Sequence, residues 1–332
     1  MRLAARLAVE EINAAGGVRG RPLELIERDD FADPDSAVRI AVDLQASDAV
    51  AVVGHLFSST SLAAAPIYNS GERPIVELSP SSSAPQMTDA GPWTFRLCPS
   101  DLAHGSALAR WAADELRLTD GAILYLNDEY GRGIRQAFAQ RFVERGGRLQ
   151  GVEPYLGGSP DLRPNLERLK QLGRARFLMI AGNRAEAERI LRDGRSLGVT
   201  LPLLGGDGLE GLEQAGALAE GAYISAAYHP GISTSTNRRF VEAYRRKYPD
   251  AGRPNQPAAA TYDAVKLLAS VIEGAGTGRR AIRDRLGQVG REGPAFEGAT
   301  SRIAFDPQGD VSEGQVYITV VQGGQLLLAR GS

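Results

Sequence analysis

The chain has 332 residues, 43% of them hydrophobic and 23% charged, more than the roughly 250 to 300 residues at which a single core stops growing, so two core-bearing units are expected. Thirty-eight basic against 40 acidic residues leave a formal charge of −2, which gives no electrostatic case for nucleic acid or an anionic membrane as partner and leaves small neutral or zwitterionic ligands open. The single cysteine, Cys98, can form neither an internal disulfide nor a zinc cluster and is expected as a small buried apolar residue.

No stretch approaches the roughly 20 apolar residues of a spanning helix, and the first residues lack the uninterrupted apolar run of a signal peptide. A soluble chain without direct membrane insertion is expected. Instead, Leu3, Ala4, Leu7, Ala8 and Ile12 recur at helical spacing, so the sequence opens inside an amphipathic helix. A strand is predicted at 23–28, a helix at 35–45 behind the Asp33-Pro34-Asp35 run, a strand at 49–53, a helix at 58–68 and a strand at 74–78. The alternation continues with helices at 104–116, 131–145, 166–172 and 185–194 and strands at 121–126, 175–181 and 201–204. After a strand at 223–227 come helices at 237–248 and 258–273, then strands at 301–305, 315–321 and 325–329 separated by the Asp306-Pro307-Gln308-Gly309 and Gly323-Gly324 turns. Short apolar strands alternating with helices are the mark of α/β parallel sheets wrapped on both faces.

In open parallel sheets ligands sit beyond the carboxyl ends of the strands, so the polar residues directly after each predicted strand are the candidates. These are Gly54-His55-Leu56-Phe57-Ser58-Ser59-Thr60-Ser61, then Ser79-Pro80-Ser81-Ser82-Ser83, Asn127-Asp128-Glu129-Tyr130-Gly131, Gly182-Asn183 and Gly205-Gly206-Asp207-Gly208. Ser58 and Ser59 fall at a helix N-terminus, where free N–H groups favour a carboxylate; Asp207, on a glycine-flanked loop, suits an ammonium group. Each also has a plainer explanation: an N-cap for Ser58 to Ser61, a polar loop for Ser79 to Ser83, a wet surface hydroxyl for Tyr130 and a turn for Asp207. Their shared placement after successive strands is what makes them one candidate set.

Gly206-Asp207-Gly208-Leu209-Glu210-Gly211 matches the dinucleotide-binding G-x-G-x-x-G, but a carboxylate between its first two glycines would face the pyrophosphate, and it falls late in the chain. No G-x-S-x-G elbow surrounds any serine, and the three histidines, His55, His104 and His229, show no metal-ligand spacing. No cofactor, no metal and no catalytic residue is therefore expected. A Ser58 hydrolase with His55 as base stays open as the weakest alternative, a structural role for His55 being favoured.

The chain resembles the leucine/isoleucine/valine-binding type of periplasmic solute-binding protein over nearly its whole length. The resemblance is carried by Glu10-Glu11-Ile12-Asn13-Ala14-Ala15-Gly16-Gly17-Val18 with Gly20, by Asp29-Asp30 and Asp33-Pro34, and by Gly54-His55-Leu56-Phe57-Ser58-Ser59. Ala65-Pro66-Ile67-Tyr68, Tyr130-Gly131-Arg132-Gly133 and Phe305-Asp306-Pro307-Gln308-Gly309-Asp310 continue it.

It implies two doubly wound, Rossmann-like lobes joined by a three-crossover hinge, lobe 1 comprising 1–100 and 229–302 and lobe 2 comprising 101–228 and 303–332, with crossovers near 97–102, 226–230 and 303–315. It also implies capture of an amino acid or related small polar molecule by lobe closure, outside the cytoplasm, for an ABC transporter permease. Ser58 then matches the carboxylate-binding serine, and Ser81 and Ser83 the loop that meets the carboxylate and ammonium groups. Tyr130 matches the tyrosine that closes from the second lobe, and Asp207 the ammonium-binding acid, usually Glu. Ser59 and Asn183 join the ligand-binding set; Leu56 and Phe57 line the pocket.

Asn183 and Pro257 stand where branched-chain binders often carry aromatics, which implies a wider or more polar pocket. Family members also begin with a strand and a ligand-contacting loop ahead of the first helix. Neither precedes the opening helix here, which implies a longer native product and marginal stability for the sequence as written. The same fold also serves the sensing domains of receptors and regulators, the leading alternative function.

Overall fold

The computed structural model describes residues 1–312 and 314–329; residue 313 of the third expected crossover and 330–332 of the second expected lobe lie outside the described residues. The chain divides into two compact units, Met1–Pro99 with Tyr228–Gln315, and Ser100–Ala227 with the chain from Val316 onward. In chain order the first unit holds α1 (Arg2–Ala14), α2 (Pro34–Ala46), β1 (Ala51–Val53), α3 (Ser58–Tyr68), β2 (Val76–Ser79) and β3 (Thr94–Arg96). The second follows with α4 (Asp101–Arg110), β4 (Asp120–Leu126), α5 (Glu129–Glu144), β5 (Arg148–Tyr155), α6 (Arg163–Leu172), β6 (Phe177–Ala181), α7 (Arg184–Ser196), β7 (Leu203–Gly205) and β8 (Tyr223–Ala226). The chain then returns to the first unit as α8 (Ser235–Lys247), α9 (Gln256–Ala275), α10 (Arg279–Leu286), β9 (Phe296–Glu297) and β10 (Arg302–Ile303), and ends in the second with β11 (Tyr317–Gln322) and β12 (Gln325–Leu328).

In the first unit β1, β2 and β3 form a parallel sheet in that order. Alternation along β2 sends Val76 and Leu78 to one face, where they meet Ala5, Ala8 and Ile12 of α1 and Ala264, Leu268 and Ile272 of α9. The other face packs on α2 and α3 through Ala37, Ala41, Ala64 and Tyr68. Fully burying a side chain the size of Val76 or Leu78 is worth about 1.5 to 3 kcal/mol. Helix α2 starts where predicted because the Asp33 carboxylate accepts from Ser36 N at 2.8 Å and Pro34 needs no partner in the first turn.

The second unit is a seven-stranded sheet in the order β12-β11-β8-β7-β6-β4-β5, parallel except for β11, which runs antiparallel to both of its neighbours. Leu178 and Ile180 of β6 face α6 and α7, while Phe177, Met179 and Ala181 face α4 and α5. Both sheets are thus doubly wound, as expected. A Cβ on Gly131 would lie 2.0 Å from Leu126 O, so only glycine lets α5 begin hard against the end of β4.

Several expectations need correction. Residues 23–28 form no strand: no strand lies alongside them among the described residues, Leu25 and Ile26 stay exposed, and Leu23 is pinned instead by the Asn13 side chain, which exchanges two hydrogen bonds with its backbone. Residues 303–315, expected in the second lobe, belong to the first unit, because Ile303 and Phe305 enter its core and Phe305 packs edge-on against Phe95, with ring centroids 5.2 Å apart. Of the strand predicted at 301–305 only Arg302–Ile303 is laddered. Strands β3 and β5 and helix α10 had no clear signal. β5 is an edge strand with one fully buried side chain, Tyr155, so it carries little apolar pattern. α10 has four arginines in eight residues and buries only Ile282 and Leu286.

Candidate functional site

In the first unit the loops after β1 and β2 meet through hydroxyls. Ser58 Oγ accepts from Ala84 N at 3.1 Å, Ser82 Oγ donates to Ser61 Oγ at 2.8 Å, and Ser79 Oγ donates to His55 O at 2.9 Å. Ser58 opens α3, whose first N–H groups have no partner within the helix, the first intrahelical bond being Ser61 N to Phe57 O. Ser58 and Ser83 are buried; Leu56, Phe57, Ser59 and Ser81 are half-buried around them. Ser81 Oγ donates to Gln256 Oε1 at 3.2 Å while Gln256 Nε2 donates to Pro80 O at 2.9 Å. Arg96 supports the same loop from behind, donating to Ser83 O and Ala84 O.

His55 is not paired with Ser58. Its Nδ1 lies 2.7 Å from Asp30 Oδ2 and its Nε2 3.2 Å from Tyr68 OH. The His55 hydrogen bond, ahead of burial acting the other way, holds the Asp30 carboxyl below its ordinary pKa. On the same side of the sheet Glu77 is fully buried with no hydrogen-bond partner on either carboxylate oxygen, and burial pushes it up to about 8. The hydroxyls of Ser61 and Thr94 pull the other way without reaching hydrogen-bond geometry. Glu77 is therefore largely protonated at neutral pH.

In the second unit Tyr130, His104 and Asp207 converge. Tyr130 stands in the first turn of α5, started by Asp128, whose carboxylate accepts from Gly131 N at 2.7 Å. Its hydroxyl donates to Asp207 Oδ1 at 3.0 Å and accepts from Gly208 N at 2.8 Å. Burial, then the charges of Asp207 and Asp101, push the phenol well above its ordinary pKa, so it stays a donor. A Cβ on Gly208 would sit 2.6 Å from Gly182 O and 2.9 Å from the Tyr130 hydroxyl, which is why the loop after β7 needs glycine there. His104, fully buried on α4, places Nδ1 3.0 Å from Ser225 Oγ and Nε2 3.7 Å from Asp207 Oδ2. Burial lowers its pKa, and Asp207 pulls it back up. Asn183 occupies the N-cap of α7, half-buried, without capping it through its side chain.

Each unit thus sets polar groups at the carboxyl ends of its own parallel strands, the position where open α/β sheets bind ligands. A family model described as periplasmic binding protein matches residues 1–325. The chain belongs to the periplasmic binding protein family. Like other members of the leucine/isoleucine/valine type, this periplasmic binding protein is a solute-binding component of ABC import with the type I α/β fold.

Among its relatives is the leucine-, isoleucine-, valine-, threonine- and alanine-binding protein of Pseudomonas aeruginosa, 29% identical over 317 residues that cover 93% of this chain and 82% of the relative. An ABC transporter substrate-binding protein of Desulfitobacterium hafniense, solved in complex with leucine, is 32% identical with a TM-score of 0.84, covering 99% of this chain and 95% of that one. A branched-chain amino acid transporter substrate-binding protein of Streptococcus pneumoniae in complex with isoleucine is 25% identical, with a TM-score of 0.89 and coverage of 99% and 93%.

In this periplasmic binding protein the structure brings Ser58 and the loop carrying Ser81 and Ser83 together in one unit, and Tyr130 and Asp207 together in the other. Sequence reasoning missed His104, Gln256 and Arg96. Gln256 reaches the serine loop from 175 positions away and Arg96 from the next strand, β3, while His104 lies 103 residues before the acid it faces. The dinucleotide-like glycine run resolves into a short 3₁₀ turn at Asp207–Leu209 that delivers Gly208 N to Tyr130.

Proposed function

We propose that the solute is a zwitterionic amino acid with a small or branched aliphatic side chain, taken up outside the cytoplasm and passed to an ABC permease. The carboxylate falls to Ser58, Ser59 and the open N–H groups at the start of α3, with Ser81 and Ser83; the ammonium group falls to Asp207, oriented by Tyr130. Leu56, Phe57 and Asn183 line the remainder. The observation that carries this reading is the Asp207 carboxylate, held at one oxygen by Tyr130 on a glycine loop beyond a strand end. The ligands for which the Pseudomonas, Desulfitobacterium and Streptococcus relatives are named or with which they were solved support the same class. No helix among the described residues is long and apolar enough to cross a membrane.

Titration calorimetry with L-leucine, L-isoleucine, L-valine, L-threonine and L-alanine tests it, beside 4-methylpentanoate and 3-methylbutylamine, which each keep only one of the two charges. A hydrogen bond to a charged group contributes about 1.5 to 3 kcal/mol, so each analogue and the Asp207→Ala variant should bind at least about tenfold more weakly. A cooperatively folded protein that binds no amino acid would overturn the reading.

A further inference from the structure

His104 is fully buried, and its Nε2 has no hydrogen-bond partner while pointing at Asp207 Oδ2 from 3.7 Å. Its Nδ1 is engaged by Ser225 Oγ at 3.0 Å. A neutral ring that accepts the Ser225 proton carries its own on Nε2, facing the carboxylate. Asp207 is therefore addressed on both oxygens by its own unit: Tyr130 donates to Oδ1, and the imidazole faces Oδ2 at a distance that leaves that oxygen open.

Apart from Asp207 and Asp101, the groups packed around the imidazole are uncharged. On its own helix Asp101 lies one turn before His104, α5 offers the neutral phenol of Tyr130, β8 the hydroxyl of Ser225, and the loop after β7 Asp207 itself. β6, β7 and β11 present Met179, Ala181, Leu204 and Ile318, all apolar.

We propose that His104 is a positioning residue for Asp207 whose protonation competes with the ligand's ammonium group, so that this binding protein releases amino acids as the medium acidifies. The inference rests on the amino-acid reading above. Neutral His104 leaves the full Asp207 charge to the ligand. Protonated His104 neutralises that charge and sets a second cation within a few ångströms of the ammonium group in a buried setting, where charge interactions are strong. By linkage, whatever amount of binding energy the proton removes from the ligand, the ligand removes from the proton.

The affinity of L-leucine, or of whichever amino acid in the panel binds most tightly, is measured from pH 8 to pH 5 in the wild type and in His104→Gln, whose amide can face Asp207 without titrating. The wild-type Kd should rise by up to tenfold per pH unit below the His104 midpoint, and that rise should be missing in the variant whatever its absolute affinity. Because the variant could misfold, the wild type is also titrated by imidazole NMR with and without saturating ligand, with Asp207→Asn as reference. Both the ligand and Asp207→Asn should move the His104 midpoint to lower pH. Parallel pH profiles in wild type and variant, or a midpoint indifferent to the ligand, would overturn the inference while leaving the amino-acid reading intact. Failure of every amino acid to bind at pH 7.5 would instead remove that reading, and this inference with it.

Discussion

Arg96 Nη2 donates to Asp310 Oδ2 at 2.6 Å across 214 positions of sequence, and the same guanidinium holds the carbonyls of Ser83 and Ala84. The Asp306 to Asp310 turn is itself docked on β3, Arg96 N donating to Gly309 O at 3.1 Å. One buried charge thus ties the loop carrying Ser81 and Ser83 to a segment from the far end of the chain. Asp310→Ala should cost about 3 kcal/mol by leaving Arg96 buried and unpaired. Urea unfolding measures the loss, and a simultaneous rise in ligand Kd would register the loosened serine loop. Unchanged stability would mean that water replaces the carboxylate.

Tyr130→Phe removes the donor to Asp207 and the acceptor of Gly208 N while keeping the ring. The loss should fall on ligand affinity, by about tenfold or more, with stability changed by about 1 kcal/mol. Gly208→Ala should reach the same state by displacement, since its Cβ would press on Gly182 O and the Tyr130 hydroxyl. Calorimetry and a thermal melt on both variants separate the two effects.

Glu77 sets a pH dependence of stability in the first unit. Its folded pKa, about 8, lies above its ordinary value of 4.5, so the unfolded chain gives up this proton first. Its contribution to stability is therefore fully present below pH 4.5 and is lost as pH rises to about 8, by at most about 1.4 kcal/mol per unit. Glu77→Gln should melt like wild type near pH 4.5 and at distinctly higher temperature at pH 9. A constant difference between the two across that range would show that Glu77 does not titrate there.

Arg279 closes the end of α2, donating to the carbonyls of Gln45, Ser47, Ala49 and Arg73 at 2.7 to 2.9 Å. It supplies both a cation at a helix C-terminus and partners for carbonyls the helix leaves open. Arg279→Ala should destabilise by about 2 kcal/mol, and Arg279→Lys should recover only part of that, because an ammonium cannot span the carbonyls that a planar fork reaches. Denaturant midpoints of the three proteins test the order.

Much of this was legible in the sequence. The alternation of apolar periods from α1 to β8 depends on local chain geometry, period 3.6 against period 2, and so survives without knowledge of partners. Ser58, Tyr130 and Asp207 could be named as candidates because each follows a buried strand whose apolar run is itself unmistakable. The tertiary structure decided what depends on a neighbour distant in sequence. Residues 23–28 have the look of a strand, yet a strand exists only with a ladder partner. β5 and α10 lie at the surface, where little apolar pattern is required, and 303–315 join the first unit because Phe305 finds Phe95. His104 gave no local sign at all. Its meaning comes from Asp207, 103 residues further on in the chain and 3.7 Å away in space, a distance that only the packing of α4 against the loop after β7 could set.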